Sequence, residues 1–390
     1  GLASQHDPVH GGFGAAPKFP QPATLEVLLK YFFRTGHREA LEMVLTTLRD
    51  MARGGIRDHL GGGFHRYSVD ARWLVPHFEK MLYDNGLLAS LYLQAYQTTG
   101  NPELKDTVTT TLDYLLADLR DARGGFYSAR DADSEGEEGT FYLWSPQEVE
   151  EALGAEAAAL FGRAYGVTPE GTFEGKNILN LQSGLDPLAK SEGVSLDELA
   201  ASLETARIAM KEARSAREQP FRDEKVLTSW NSFVLRALAE AGGALGRVDY
   251  VEAARENAEF ILQELFQNGR LLRSWKDGDS RIPGFLEDYA GLGNALLTLY
   301  ETTLEPRWVE EAERLSHLVL HLFWDDEEGI FFDSPRDGER LVVRAREIMD
   351  NATPSGNSLA VEFLIRMAAF GDRQDLRRVA ERVLCRESDG

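Results

Sequence analysis

Cysteine is almost missing from this 390-residue chain. The one thiol, Cys385, excludes an internal disulfide, a Cys-x-x-Cys redox pair and a thiolate zinc site. Long apolar runs are missing as well, and none approaches the roughly 18–20 residues of a membrane helix. Positive charge is in deficit. Lys and Arg number 42 against 64 Asp and Glu, a net charge of −22, so no basic face offsets repulsion from nucleic acid or an anionic membrane. Gly1 to Gly14 show neither the charged start nor the apolar stretch of a signal peptide. A reducing, cytoplasmic setting is expected. What is present is an ordinary globular composition, 43% hydrophobic and 10% aromatic, enough for a sizeable core.

Helical periodicity dominates. Leu87, Leu88, Leu91, Tyr92, Ala95 and Tyr96 paint one helical face, as do Trp230, Phe233, Val234, Ala237, Leu238 and Ala241. The pattern predicts helices at 24–34, 38–53, 79–98, 101–119, 230–245, 248–267, 286–302, 306–323, 356–370 and 373–386. A less regular sixth pair is expected near 146–164 and 195–217, with 165–194 as loop. Ser145 with Glu148 and Ser195 with Glu198 predict capping boxes. Glycine-rich loops recur beside the pairs: Gly11-Gly12-Phe13, Gly62-Gly63-Phe64, Gly124-Gly125-Phe126 and Gly329-Ile330-Phe331. Two β-hairpins are expected in the long loops, Leu271 to Ile282 turning at Asp277-Gly278 and Ile330 to Arg344 turning at Asp337-Gly338. Repeated hairpins must bury their apolar faces on neighbours. Long, polar loops at one end and short connections at the other favour a closed ring. The expectation is an all-α toroid of helical hairpins, one domain over 1–390 with a less regular segment at 145–227.

Polar residues gather at the long-loop ends. The densest stretch runs from Asp58 through His65, Arg66 and Trp73 to His77, Glu79, Asp84 and Asn85. Histidine is suited to move a proton near neutral pH, so His77 and His65 read as base and acid. Glu79, Asp84 and Asp288 would orient them or bind hydroxyls. Trp73 and Trp230 would stack on a substrate. Asp131, Asp133, Asp223, Lys225, Asn231, Asp350, Ser355 and Asn357 sit at equivalent loop ends and are candidate substrate binders. The acids at 131, 133 and 135 with Gly136 mimic the start of a calcium loop, but Tyr142 stands where a bidentate Glu is needed. No metal or cofactor is expected. His317 and His321 lack the Glu of an HExxH motif, and there is no phosphate-binding or dinucleotide-binding glycine loop.

Gly11-Gly12-Phe13-Gly14, Ala16-Pro17-Lys18-Phe19-Pro20, the run from Arg72 to Asn85 reading RWLVPHFEKMLYDN, Asp131-Ala132-Asp133, Lys225 to Asn231 and Pro354-Ser355-Gly356-Asn357 together resemble the thioredoxin-domain-containing, spermatogenesis-associated family over nearly the whole chain. That resemblance implies an (α/α)6 toroid similar to N-acylglucosamine 2-epimerase-like isomerases and certain glycosidases. It also implies a thioredoxin-like domain ahead of this region, expected to be absent here and a candidate partner. No catalytic role carries over from the epimerases, whose motifs do not align residue by residue.

Three functions compete. A sugar isomerase or epimerase would use the histidines and carboxylates as acid and base on a small-molecule sugar. A glycoside hydrolase would need a carboxylate pair drawn from Asp133, Asp223 and Asp288. A non-catalytic module would dock a thioredoxin-like domain.

Overall fold

Serine–glutamate pairs and prolines mark the helix starts, and a computed structural model, which describes residues 1–181, 184–338 and 342–388, keeps most of them. The helices are α1 (Pro22–Thr35), α2 (Arg38–Arg53), α3 (Leu82–Thr99), α4 (Pro102–Tyr114), α5 (Pro146–Leu153), α6 (Ala155–Tyr165), α7 (Asp186–Glu192), α8 (Leu196–Ser215), α9 (Thr228–Leu245), α10 (Val248–Phe260), α11 (Leu286–Thr303), α12 (Pro306–Phe323), α13 (Gly356–Gly371) and α14 (Gln374–Ser388). Both capping boxes form: Ser145 Oγ accepts the Glu148 N–H and Glu148 returns the bond, and Ser195 with Glu198 does the same. No described helix is long and apolar enough to cross a membrane.

Differences from the sequence reading have local causes. The third helix begins at Leu82, because Lys80–Met81 is extended and pairs with Ala129–Arg130. Gly154, at φ 76° and ψ 159°, splits the expected 146–164 helix into α5 and α6. The expected loop at 165–194 contains α7. α4 and α10 each run into a single π turn, Leu115–Leu119 and Ile261–Leu265. The first hairpin forms as expected: Arg270–Lys276 pairs with Asp279–Pro283 across Asp277 and Gly278, both at positive φ. The second is corrected. Ile330–Phe331 pairs backward with Trp324–Asp325, and residues 339–341 of the expected return strand lie outside the described residues.

Contacts gather the chain into two compact units, one of residues 1–85, 94–114 and 129–223, the other of 86–93, 115–128 and 224–390. In the first, α1 packs on α2, while α8 lies against α5, α6 and α7. Trp144, Phe161, Tyr165, Leu199, Leu203 and Met210 form an apolar core there. A three-stranded patch joins Lys80–Met81, Ala129–Arg130 and Arg222–Asp223. It ties the start of α3 to both ends of the excursion between residues 130 and 222.

In the second unit α9, α11 and α13 pack side by side, and each carries its outer partner α10, α12 or α14. The inner helices are rich in Ala, Gly and Leu and are buried nearly all round; Asp288 to Leu299 of α11 has no exposed residue. The outer α12 buries one stripe, Trp308, Ala312, Leu315, Ser316, Val319, Leu322 and Phe323. Gly293 lets the α13 ring of Phe363 approach, since a Cβ there would stand 2.4 Å from it.

A latch recurs in both units. Asn85, in the first turn of α3, accepts the Phe64 N–H at 2.7 Å and donates to the carbonyls of Phe64 and Met81. Asn231, in the first turn of α9, accepts the Phe126 N–H at 2.8 Å and donates to the carbonyls of Phe126 and Leu227. Each Gly-Gly-Phe loop is thus fastened to the next inner helix by one amide that satisfies both backbone groups of the phenylalanine.

Candidate active site

The extended segment before α3 sets the geometry. Pro76–His77 pairs with Tyr67–Ser68, so His77 lies opposite Tyr67 and the two rings stack at 5.1 Å. His77 Nδ1 is 2.8 Å from Glu138 Oε1. A carboxylate only accepts, so Nδ1 carries a proton. That Nε2 is 3.7 Å from Glu79 Oε2. Glu138 also accepts the Phe78 N–H at 3.2 Å, which ties the acidic Asp133–Ser134/Glu137–Glu138 hairpin to the histidine strand. Arg66 Nη1 donates to the same Glu79 Oε2 at 2.9 Å, and its guanidinium also engages the Tyr83 hydroxyl. Burial, helped by the neighbouring Asp84, pushes the Tyr83 phenol up to about 12.

Asp84 completes this line. It is 4% exposed, and its Oδ2 has no hydrogen-bond partner. Burial raises its carboxyl well above the usual range; Arg66 opposes the rise and Glu79 adds to it. The first unit therefore places Glu138, His77, Glu79, Arg66, Tyr83 and Asp84 in one chain of neighbours. His77 and Glu79 remain partly open, with side chains 28% and 24% exposed.

Other candidates occupy different places. His65 is corrected as the acid. It is 2% exposed, its Nδ1–H donates to the Phe78 carbonyl at 2.8 Å, and burial beside Lys80 lowers it to about 3, so it is neutral. It lines a cavity of about 20 Å³ with Asp58, His59, Tyr142 and Arg214, room for about one water. Trp73 is corrected as a stacking platform: it is fully buried, sits at φ 63°, and donates Nε1–H to the His10 carbonyl. Asn85 and Asn231 are corrected as hydroxyl binders, since both are fully buried and spend their amides on the latches.

Asp131 is exposed and folds its carboxylate onto the next backbone N–H at 2.7 Å; Asp133 is exposed on its hairpin. Asp223 is half-buried, in register with Ala129.

In the second unit Lys225 is exposed, and its carbonyl accepts from Ser128 Oγ. Trp230 is half-buried in the first turn of α9. Asp288 is fully buried. Its Oδ1 accepts the Ser229 N–H at 3.0 Å and its Oδ2 the Phe285 N–H at 2.9 Å, with Arg273 at 3.3 Å. Burial still lifts it to about 6. It is a capping carboxylate for two helix starts, which corrects its catalytic reading. Asp350 accepts the Ser355 N–H, Ser355 caps α13 through the Ser358 N–H, and Asn357 donates to the Glu347 carbonyl.

Sequence reasoning passed over Glu138, Tyr83 and a buried ionic trio. Asp58 binds Lys80 Nζ at 2.8 Å and both terminal nitrogens of Arg214 at 2.8 and 3.0 Å. Tyr83 and Lys80 lay within the quoted run. Glu138 and Arg214 are 61 and 156 residues from their partners, and no local pattern could join them. Among the described residues no group of three or more His, Cys, Asp or Glu could hold a metal ion.

Comparison of this fold with solved structures finds sugar-acting enzymes. The chain is similar to cellobiose 2-epimerase from Bacillus thermoamylovorans, with a TM-score of 0.64 at 9% identity over 98% of this chain and 82% of that one. It is similar to D-mannose isomerase at 0.62 and 12%, over 98% and 83%. A GH76 α-mannanase from Bacteroides thetaiotaomicron follows at 0.59 and 10%, over 98% and 79%. Identities this low carry the fold: an (α/α)6 toroid of six helical hairpins, as expected from the sequence. No family model matches the chain. In sequence it is similar to human spermatogenesis-associated protein 20, 37% identical over 96% of this chain and 53% of that protein. An uncharacterised protein of Caenorhabditis elegans is 32% identical over 97% and 56%. The chain spans about half the length of these curated relatives, and of the resemblance read from its motifs the likeness to a spermatogenesis-associated protein is found again.

Proposed function

We propose that the protein is a sugar isomerase or epimerase that abstracts a proton next to a carbonyl with His77. The observation that carries this reading is the orientation of His77: Glu138 at 2.8 Å on Nδ1 fixes the tautomer with Nε2 basic, on a partly open side chain. The sugar epimerase and isomerase folds similar to this one support a carbohydrate substrate. Charge narrows the class. Two carboxylates, Glu79 and Glu138, flank His77 while one guanidinium, Arg66, pairs with Glu79, within a chain of net charge −22. That balance repels sugar phosphates and uronates and favours neutral sugars. A cytoplasmic setting suits the exposed lone thiol of Cys385.

The test is a panel of neutral aldoses and ketoses followed by proton NMR in deuterated water. Conversion or deuterium uptake at the carbon beside the carbonyl is expected, with at least ~100-fold loss in His77→Ala. Unchanged turnover in that variant removes His77 from the mechanism. Hydrolysis of a glycoside with no isomerisation would favour the glycosidase reading. Binding to a thioredoxin-like domain with no turnover would favour the docking module.

A further inference from the structure

We propose that the Tyr67 hydroxyl holds the substrate's carbonyl oxygen while His77 works on the adjacent carbon, and that the reaction is aldose–ketose isomerisation; this rests on the isomerase reading above. Three short extended segments carry the argument. Lys18 pairs with Ser68 in both directions, N–H to carbonyl, at 2.8 and 2.9 Å. Tyr67–Ser68 pairs in turn with Pro76–His77. Side chains alternate across such a ladder. Ser68 turns inward and is fully buried, so Tyr67 points to the other face. There its ring stacks on His77 at 5.1 Å and lies 4.8 Å from the ring of Phe19. The outer segment is itself pinned, because Lys18 Nζ binds Asp7 and the carbonyls of Gly11 and Ala71 at 2.7, 2.7 and 2.8 Å. The Tyr67 ring is thus held in place, but its hydroxyl is unspent. The residue is half-buried, and the hydroxyl is not sealed from solvent and makes no hydrogen bond among the described residues. Other donors nearby are committed: Arg66 to Glu79, and Tyr83 to Arg66. A phenol on a ring stacked against the imidazole lies within the span of one open-chain sugar held at His77.

The step balances without a further reactant. On the open-chain aldose His77 takes the proton from C2. The C–H electron pair becomes the C1–C2 double bond, and the carbonyl π pair moves onto O1. Tyr67 donates its hydrogen bond to the charge that builds there and stays a phenol throughout. The O2 hydroxyl proton then passes to the neighbouring O1. The pair left on O2 closes the C2 carbonyl, and the C1–C2 π pair takes the proton back from His77 at C1. The product is the ketose, and both side chains end as they began. A hydrogen bond to the charged enediolate is stronger than one to the neutral carbonyl, so Tyr67 acts on kcat more than on KM.

The test uses Tyr67→Phe in the full chain. This variant keeps the ring beside His77 and Phe19 and removes one oxygen that bonds to nothing else, so its urea midpoint is expected to match the parent's. On a neutral aldose that the parent converts, kcat is expected to fall ~100-fold or more with KM little changed. Deuterium uptake at C2 and conversion to the ketose are expected to fall together, since both pass through the enediolate. A normal kcat in the variant overturns the donor role while leaving the isomerase reading intact. Loss of conversion with deuterium uptake intact, or a kcat loss accompanied by a lowered urea midpoint, overturns it as well. A parent that yields the C2 epimer and no ketose overturns the aldose–ketose step. A parent that converts no sugar overturns the donor role by way of the isomerase reading itself.

Discussion

The starts of α3 and α11 carry the same three residue types and use them in opposite ways. Each has a buried aspartate in its first turn, Asp84 or Asp288, with a glutamate and an arginine alongside: Glu79 and Arg66 in one unit, Glu287 and Arg273 in the other. At α11 both carboxylate oxygens meet backbone N–H groups, and the acid rises only to about 6. At α3 one oxygen has no hydrogen-bond partner, and burial raises the acid well above its ordinary value. Burial is similar in the two, so the difference lies in the donors. The lesson is that two equally buried acids can differ in whether backbone donors meet their oxygens.

The largest effect expected from this contrast is at Asp58, the fully paired extreme. Asp58→Ala leaves Lys80 and Arg214 buried without their carboxylate and should cost about 3–5 kcal/mol in urea denaturation. A loss below about 1 kcal/mol would mean that pairing is not what separates these acids. Next come the latches: Asn85→Ala and Asn231→Ala each strand the N–H and C=O of a buried phenylalanine. Each should cost about 1–3 kcal/mol, with Asn231→Ala the larger because its Oδ1 also accepts from Asn257 Nδ2 at 2.9 Å.

Asp288 sharpens the comparison through pH. Its folded-state value is raised, so the native state holds the proton more tightly. Stability therefore falls as pH rises from the ordinary 3.8 to about 6 and levels off above. The drop should be on the order of 1–3 kcal/mol and should vanish in Asp288→Asn. Smallest is Glu138→Gln. The exposed pair with His77 contributes less than about 1 kcal/mol to folding, yet its loss frees the imidazole tautomer. Turnover should drop while the urea midpoint stays, and a midpoint that moves as much as for Asn85→Ala would make Glu138 a structural residue.

Where the sequence was readable, one residue and its near neighbours decided the outcome. The α2 helix, Arg38–Arg53, has the expected bounds because its apolar stripe and the flanking glycines are local signals. Asp277-Gly278 names its own turn. The Gly-Gly-Phe loops were visible as a repeat, but their partners were not. Nothing local distinguishes an asparagine that binds a sugar hydroxyl from one that binds a peptide 105 residues earlier. His77 stood out by type, whereas its orienting Glu138 did not. Trp73 was misread because a tryptophan beside glycines is equally a stacking surface and a core wedge. Burial decides between these, and burial is a property of the whole chain.

The same latch closes over 21 residues between Phe64 and Asn85 and over 105 between Phe126 and Asn231. Registry between successive inner helices is therefore independent of how much chain intervenes. The stretch between those two anchors is nevertheless tied back to the chain before it, through Arg214 on Asp58 and Glu138 on His77.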